Sequence, residues 1–161
     1  MTRHPEARIF QEMGFAARDG RLAEAVVYSI ARTYSLLVRR LAQLYATFGL
    51  SAASFNLLML LKHGQDPATF TQQEIGSRLV VSPSDMTGLI DRLEKRQLVR
   101  RAPGRDRRSK LLRITPKGSK LLDEVWPHHT KLARMLAEIL EAGEAEALVR
   151  SLAKLRQAAP S

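Results

Sequence analysis

Residues 82–96 read Ser82-Pro83-Ser84-Asp85-Met86-Thr87-Gly88-Leu89-Ile90-Asp91-Arg92-Leu93-Glu94-Lys95-Arg96, and the reading of this stretch decides the fold. Ser82 is a favoured N-cap, and Pro83 falls at the first helical position, where its missing N–H is no loss. A helix running to about Arg96 puts Met86, Leu89, Ile90 and Leu93 on one face. Ser84, Thr87, Gly88, Asp91 and Lys95 then point the other way, with Asp85 and Arg92 at the flanks. One side is a core stripe and the other is small and polar.

Immediately upstream, Thr71-Gln72-Gln73-Glu74 has the form of a capping box, in which the Thr71 hydroxyl meets an orphan backbone N–H and Glu74 reaches back. It predicts a short helix to about Leu79, and Val80-Val81 is the turn between the two helices. Two helices on so short a turn, the second strongly capped, form a helix-turn-helix. Downstream, Leu98–Ala102 and Leu111–Thr115 read as strands around Pro103-Gly104-Arg105-Asp106-Arg107-Arg108, a turn with three arginines at its tip. A two-stranded hairpin directly after a helix-turn-helix is a wing.

The flanks are helical. Residues 1–20 read as a loose or short helical arm. From Arg21 to Phe48 one apolar stripe runs Leu22, Val26, Ile30, Leu37, Leu41, Leu44 and Phe48, and a second runs Val27, Tyr34, Val38 and Tyr45. Two apolar stripes on one long helix predict that one packs on the core and the other on a partner chain. Gly49-Leu50-Ser51 ends this helix, and Ser51 caps a buried one through the Leu57–Leu61 cluster to about Gly64. After the wing, helix returns from about Lys117 to Glu141, with Pro127 as a kink or break. A last amphipathic helix carries Ala145, Leu148, Leu152 and Leu155. The expected class is mainly α with a small β-hairpin wing, a winged helix-turn-helix lobe joined to a helical dimerisation region. The segments are an arm (1–20), a long dimerisation helix (21–48), the lobe (49–116) and C-terminal dimerisation helices (117–161).

Charge points to the partner. The 161 residues carry a formal +10, and residues 92–120 alone hold twelve basic side chains against Glu94 and Asp106. The remainder of the chain is balanced, so the whole excess lies on one stretch, a field suited to a polyanion. On the outward face of the capped helix, Ser84 and Thr87 can hydrogen-bond base edges, and the Thr87 methyl can meet a thymine methyl. Gly88 allows close approach, and Arg92 suits phosphate. Thr71, Gln72 and Gln73, at the positive start of the preceding helix, suit phosphate as well. In the wing, Arg101, Arg105, Arg107, Arg108 and Lys110 supply charge, the tip arginines for an adjacent minor groove. Asp106 would repel phosphate, so its expected role is structural, fixing the turn.

The pattern Asp106, Arg108, Leu112, Ile114, Thr115 and Gly118 resembles the wing signature of the MarR family of bacterial winged-helix transcription regulators, and Ile90–Arg96 resembles the end of that family's recognition helix. The similarity runs over roughly residues 21–157. It implies a homodimer built from the terminal helices, binding palindromic operators, usually as a repressor. It also implies a small effector, often a phenolic or lipophilic anion, between the dimer helices and the DNA-binding lobe. Tyr28, Tyr34, Arg39, Arg40, His63, Trp126 and His129 lie on the helices the family uses for ligands. Two positions depart from the pattern. Gln97 stands where a glycine often ends the recognition helix, so the strand is expected to enter the wing differently, and Gly88 stands where a basic or polar residue is common.

Other classes fare worse. No nucleophile elbow, phosphate loop or paired-carboxylate spacing surrounds His4, His63, His128 or His129, so no enzyme is expected. Adjacent His128 and His129 lie about 100° apart on a helix, awkward for one ion, so neither a metal nor another cofactor is expected, though a metal-responsive regulator of the same fold is an alternative. A non-specific architectural DNA-binding protein is the other. The absence of cysteine removes thiol chemistry. No apolar run approaches the length of a membrane span and the N-terminus lacks a signal pattern, which predicts a cytoplasmic protein without a membrane partner.

Overall fold

The computed structural model describes residues 5–16, 21–64, 70–79, 83–103 and 110–158. The chain divides into two compact units, Met1–Phe55 and Asn56–Ser161.

In the first unit, α1 (Pro5–Glu12) packs on α2 (Leu22–Ala46), burying Ile9, Phe10 and Ala25 with Tyr28 against them. The arm is therefore a docked helix. Ala25 and Tyr28 occupy neither apolar stripe but a third side of α2. The expectation that one stripe is buried fails along the first half of the helix: Leu22, Val26 and Ile30 of one stripe and Val27 and Tyr34 of the other are all exposed. Only toward the C-terminal end does a stripe sink, with Tyr45 buried and stacked on Phe55 at 4.2 Å between ring centroids. Gly49, at φ 65°, takes the left-handed turn that lets the Leu50 N–H reach back to the Tyr45 carbonyl at 2.9 Å. The Ser51 hydroxyl then caps α3 (Ala52–His63) by accepting the Ser54 N–H at 3.1 Å.

The second unit holds the buried Leu57, Leu58 and Leu61 of α3, followed by α4 (Gln72–Leu79), α5 (Pro83–Lys95), β1 (Val99–Pro103), β2 (Lys110–Ile114), α6 (Pro116–Ala137) and α7 (Glu144–Ala158). Met86, Leu89, Ile90 and Leu93 of α5 are all buried, as their spacing requires. The antiparallel hairpin runs in the register Val99↔Ile114 to Pro103↔Lys110. Its outer edge is extended by Thr71, bridged to Leu111, and by the Phe70 carbonyl, which accepts the Leu112 N–H at 3.0 Å. The start of α4 is thereby tied to the wing.

Gln97 corrects one expectation. Its φ is 59°, so it occupies the left-handed position that a glycine would fill. The Leu98 N–H bonds to the Leu93 carbonyl at 2.9 Å and the Gln97 N–H to the Glu94 carbonyl at 2.7 Å, the paired bonds of a Schellman ending. The strand therefore enters the wing by the same turn a glycine gives, held by the burial of Leu93 and Leu98 on either side. An L side chain in this region costs about 1–2 kcal/mol. Gln97→Gly is expected to stabilise the protein by about 1 kcal/mol with DNA affinity unchanged, read from thermal unfolding and a binding titration.

The wing returns to helix through Thr115. Its hydroxyl accepts the Gly118 N–H at 3.0 Å as the N-cap of α6, and its own N–H bonds the Leu98 carbonyl at 3.0 Å. Pro127 does not break α6, which passes through it and ends at Ala137, short of the expected Glu141. The Thr130 hydroxyl lies 3.1 Å from both the Trp126 and Pro127 carbonyls, side-chain bonding in the turn that follows the proline.

Candidate nucleic-acid interface

The outward side of α5 carries Asp85, Thr87, Asp91, Arg92 and Lys95, all exposed, with Gly88 among them. Among the described residues a Cβ at Gly88 would meet only the Arg92 guanidinium, at 3.4 Å, and none of them demands glycine there. Ser84 belongs to the first turn of the same helix. Ser82 and the wing-tip residues Arg105, Asp106, Arg107 and Arg108 lie outside the described residues, and Lys110 is placed by its backbone pairing with Pro103.

The start of α4 is built as its sequence suggests. Thr71 donates to the Glu74 carboxylate from its backbone N–H at 2.7 Å and its hydroxyl at 2.8 Å, while the Glu74 N–H reaches the Thr71 hydroxyl at 3.2 Å. The Thr71 backbone N–H, and then its hydroxyl, hold the Glu74 carboxyl below its ordinary value. Thr71 is thus a capping residue. Gln73 is exposed, whereas the Gln72 side chain crosses to α5 and donates from Nε2 to the Thr87 hydroxyl at 2.7 Å.

Asp91 and Arg101 have a relation that their separate assignment to DNA contact did not foresee. The Arg101 guanidinium pairs with Glu94 through Nη1 and with Asp91 through Nη2 at 2.8 Å, and the Arg101 backbone N–H donates to Glu94 at 2.8 Å. The three side chains clamp β1 to α5, and their charges sum to −1. Asp91 and Arg101 thus bond to each other inside the protein. Conversely, Arg100 and Arg113 face each other directly in the hairpin register, both exposed. Like charges opposite one another are unfavourable by a few tenths of a kcal/mol, roughly, unless an anion lies over them. The charge count includes this pair, but the tip arginines drew the assignment away from it.

The ligand candidates fall into two groups. Tyr28 sits in the first unit with its ring 5.8 Å from Phe10 and 5.5 Å from Phe15, beside a cleft of about 330 Å³ that Arg21 also lines. Tyr34, Arg39 and Arg40 are exposed on α2. In the second unit, Trp126 gathers His63 and His129, at 6.3 Å and 5.4 Å between ring centroids, the latter stacked. Among the described residues no three His, Asp or Glu side chains are grouped as metal ligands.

Burial lowers the His129 pKa from its ordinary 6.5. On acidification the unfolded chain therefore takes up this proton before the folded one does. Whatever neutral His129 contributes to stability is complete above 6.5 and is lost as pH falls below it. An NMR titration of the His129 ring is expected to give a midpoint below 6.5; a midpoint at or above it would contradict the packing against Trp126.

Comparison with known proteins places this geometry. Residues 48–109, from the end of the first unit through the helix-turn-helix into the wing, match the model of the MarR family. The HTH-type transcriptional regulator MhqR of Bacillus subtilis is 31% identical over 108 residues, covering 66% of this chain and 72% of that protein. The transcriptional repressor CouR, solved bound to a 23-mer DNA duplex, superposes with a TM-score of 0.75 at 28% identity, covering 86% of this chain and 97% of CouR. BpsR of Bordetella bronchiseptica, solved in a study of regulation of its DNA binding by 6-hydroxynicotinic acid, gives 0.70 at 26% identity, covering 81% and 98%. Among the described residues no helix is long and apolar enough to cross a membrane.

Proposed function

This chain belongs to the MarR family of transcriptional regulators, and on that footing we propose that it is a sequence-specific double-stranded DNA-binding repressor. It works in the cytoplasm as a homodimer on a palindromic operator, with no catalytic step. The observation that carries the reading is α5: a buried apolar face and an opposite, exposed polar face with Thr87, Arg92 and Lys95, among which Gly88 presents no side chain. Such a helix can sink into a major groove. DNA bound to CouR, a relative of similar fold, supports the same reading.

Dimerisation is supported by apolar side chains left in water. Leu22, Val27 and Tyr34 of α2 are each more than 60% exposed, and α7 exposes Leu148, Val149 and Leu155 and, among its described residues, buries none. Residues 21–48 and 117–161 are the dimerisation helices in this reading and 49–116 the DNA-binding lobe. A two-fold dimer then presents two α5 helices to successive major grooves about one helical turn apart. Gly88, Arg92 and Lys95 address each groove from the side of α5 that also carries Thr87, Gln73 a phosphate, and Arg105, Arg107, Arg108 and Lys110 of the wing the flanking minor groove.

A small aromatic anion is the proposed effector, supported by the control of BpsR through 6-hydroxynicotinic acid and by the Trp126, His63 and His129 rings. It releases DNA by binding the DNA-incompetent form more tightly than the competent one. Sedimentation of the free protein and of its complex with duplex tests the assembly. The reading requires a dimer in both and a wild-type affinity that Arg107→Ala with Arg108→Ala lowers on every sequence, with a shallower salt dependence. A monomer in both would refute the dimer, and no duplex preference at any salt would refute the operator.

A further inference from the structure

Gln72 stands apart from the other polar residues at the start of α4. Its backbone is held from two directions: Phe70 and Thr71 are paired to β2, and Thr71 with Glu74 closes the helix cap. Its side chain is held at the far end as well, where Nε2 donates to the Thr87 hydroxyl across 2.7 Å. Holding one long side chain at both ends removes most of the freedom that a surface glutamine would lose on binding. The bond engages one amide hydrogen. Among the described residues the second hydrogen and Oε1 have no other partner, and when Thr87 takes the hydrogen that points away from Oε1 the two lie side by side at the planar end of the amide.

That remaining fork of one donor beside one acceptor is the complement of adenine in the major groove, whose N7 accepts and whose N6 amino group donates. A phosphate offers only acceptors, so half of the fork would be wasted on it. Beside Thr87, Gly88 presents no side chain, and among the described residues the space its Cβ would occupy borders only Arg92 at 3.4 Å. A base edge has room to approach there.

We propose that Gln72 reads the adenine of one A·T pair in each half-site, with Thr87 as the positioning residue that turns its amide to the base. Gln72 thus determines specificity from the helix preceding the recognition helix. The proposal rests on the DNA-binding reading given above.

The test uses the full chain and the duplex it recovers from a random pool, with each base pair of the half-site replaced in turn. Wild type is expected to require A·T at one position by roughly 5- to 150-fold, the range of a bidentate base contact. Gln72→Ala removes that requirement at that position and leaves the others. Thr87→Val, which keeps the shape and deletes the hydroxyl, weakens it, and the double variant is no worse than Gln72→Ala alone. Replacing the adenine by 7-deazaadenine, which lacks the N7 acceptor, costs wild type affinity and costs Gln72→Ala nothing. Melting temperatures of the variants confirm that the fold is retained. A uniform loss across all sequences on Gln72→Ala, with a shallower salt slope, would make Gln72 a phosphate contact and overturn the proposal, as would additive effects of the two substitutions. A pool that returns no motif would overturn the DNA-binding reading itself, a failure visible before any variant is made.

Discussion

Gly118→Ala is expected to destabilise the winged lobe by about 3 kcal/mol, at the upper end of the usual cost of overpacking. The first turn of α6 passes directly over the end of the recognition-helix turn. A Cβ on Gly118 would fall far inside contact with the Leu98 carbonyl oxygen and 3.0 Å from both the Leu98 carbonyl carbon and Ile114 Cγ1. None of these is the movable end of a flexible side chain. The Leu98 oxygen also accepts the Thr115 N–H, so moving it away disrupts the junction between wing and helix. For a chain of this length the fall in Tm is roughly 6–12 °C. Gly88→Ala is the control: its Cβ has room, so it is expected to gain about 1 kcal/mol of helix stability. Thermal unfolding of the two variants side by side checks both signs, and equal effects would contradict the packing at Leu98.

The second large effect is at Arg101. Arg101→Ala is expected to cost about 2 kcal/mol of stability, because it deletes charge-assisted hydrogen bonds that are partly shielded from water. Glu94 supplies most of this, since both it and Arg101 keep under a third of their side-chain surface exposed, whereas Asp91 is half exposed and its arm is worth little. DNA binding is expected to suffer as well. Without the guanidinium, Asp91 and Glu94 lose their counter-charge on the side of α5 that faces the wing, and of the clamp only the bond from the residue-101 backbone N–H to Glu94 remains. A drop in DNA affinity of about tenfold or more is expected, since the site loses a positive charge and gains uncompensated negative ones. Adding Glu94→Gln to Arg101→Ala should recover part of that affinity. Titration with labelled duplex at fixed salt measures this, and an affinity unchanged by Arg101→Ala would show that the clamp does not position the wing.

These two sites mark where the sequence could be read and where it could not. The capped helix at residues 83–95 and its buried face follow from period and cap chemistry, and so does the Thr71–Glu74 box, because each is a local arrangement within one turn. The two strands of the wing were equally legible, although Pro103, read as part of the turn, is the last residue of β1. The roles of Arg101 and Gln72 were not, because both depend on which side chain arrives from another element. Arg101 lies among eleven other basic residues in a run where charge alone suggests a polyanion, and nothing in its spacing singles out the two carboxylates it meets. Gln97 misled in a different way. Glycine is favoured at a left-handed position, but burial of Leu93 and Leu98 forces the turn and the glutamine follows at a cost. Gly118 was legible only as part of a family pattern, and its reason, the approach to Leu98, needs the fold. The long α2 was read correctly as a helix, yet along its first half the side it buries is the one bearing Ala25 and the partly buried Tyr28, too small and mixed a surface to register as a stripe.

Selection from a random duplex pool at near-physiological salt, with the recovered sequences read out, tests the account most directly. It predicts a two-fold symmetric motif whose half-sites lie about 10 base pairs apart, centre to centre, as two α5 helices of one dimer would require. Recovery without a motif, with affinity collapsing as salt rises, would contradict it and leave a protein that binds DNA through phosphates alone.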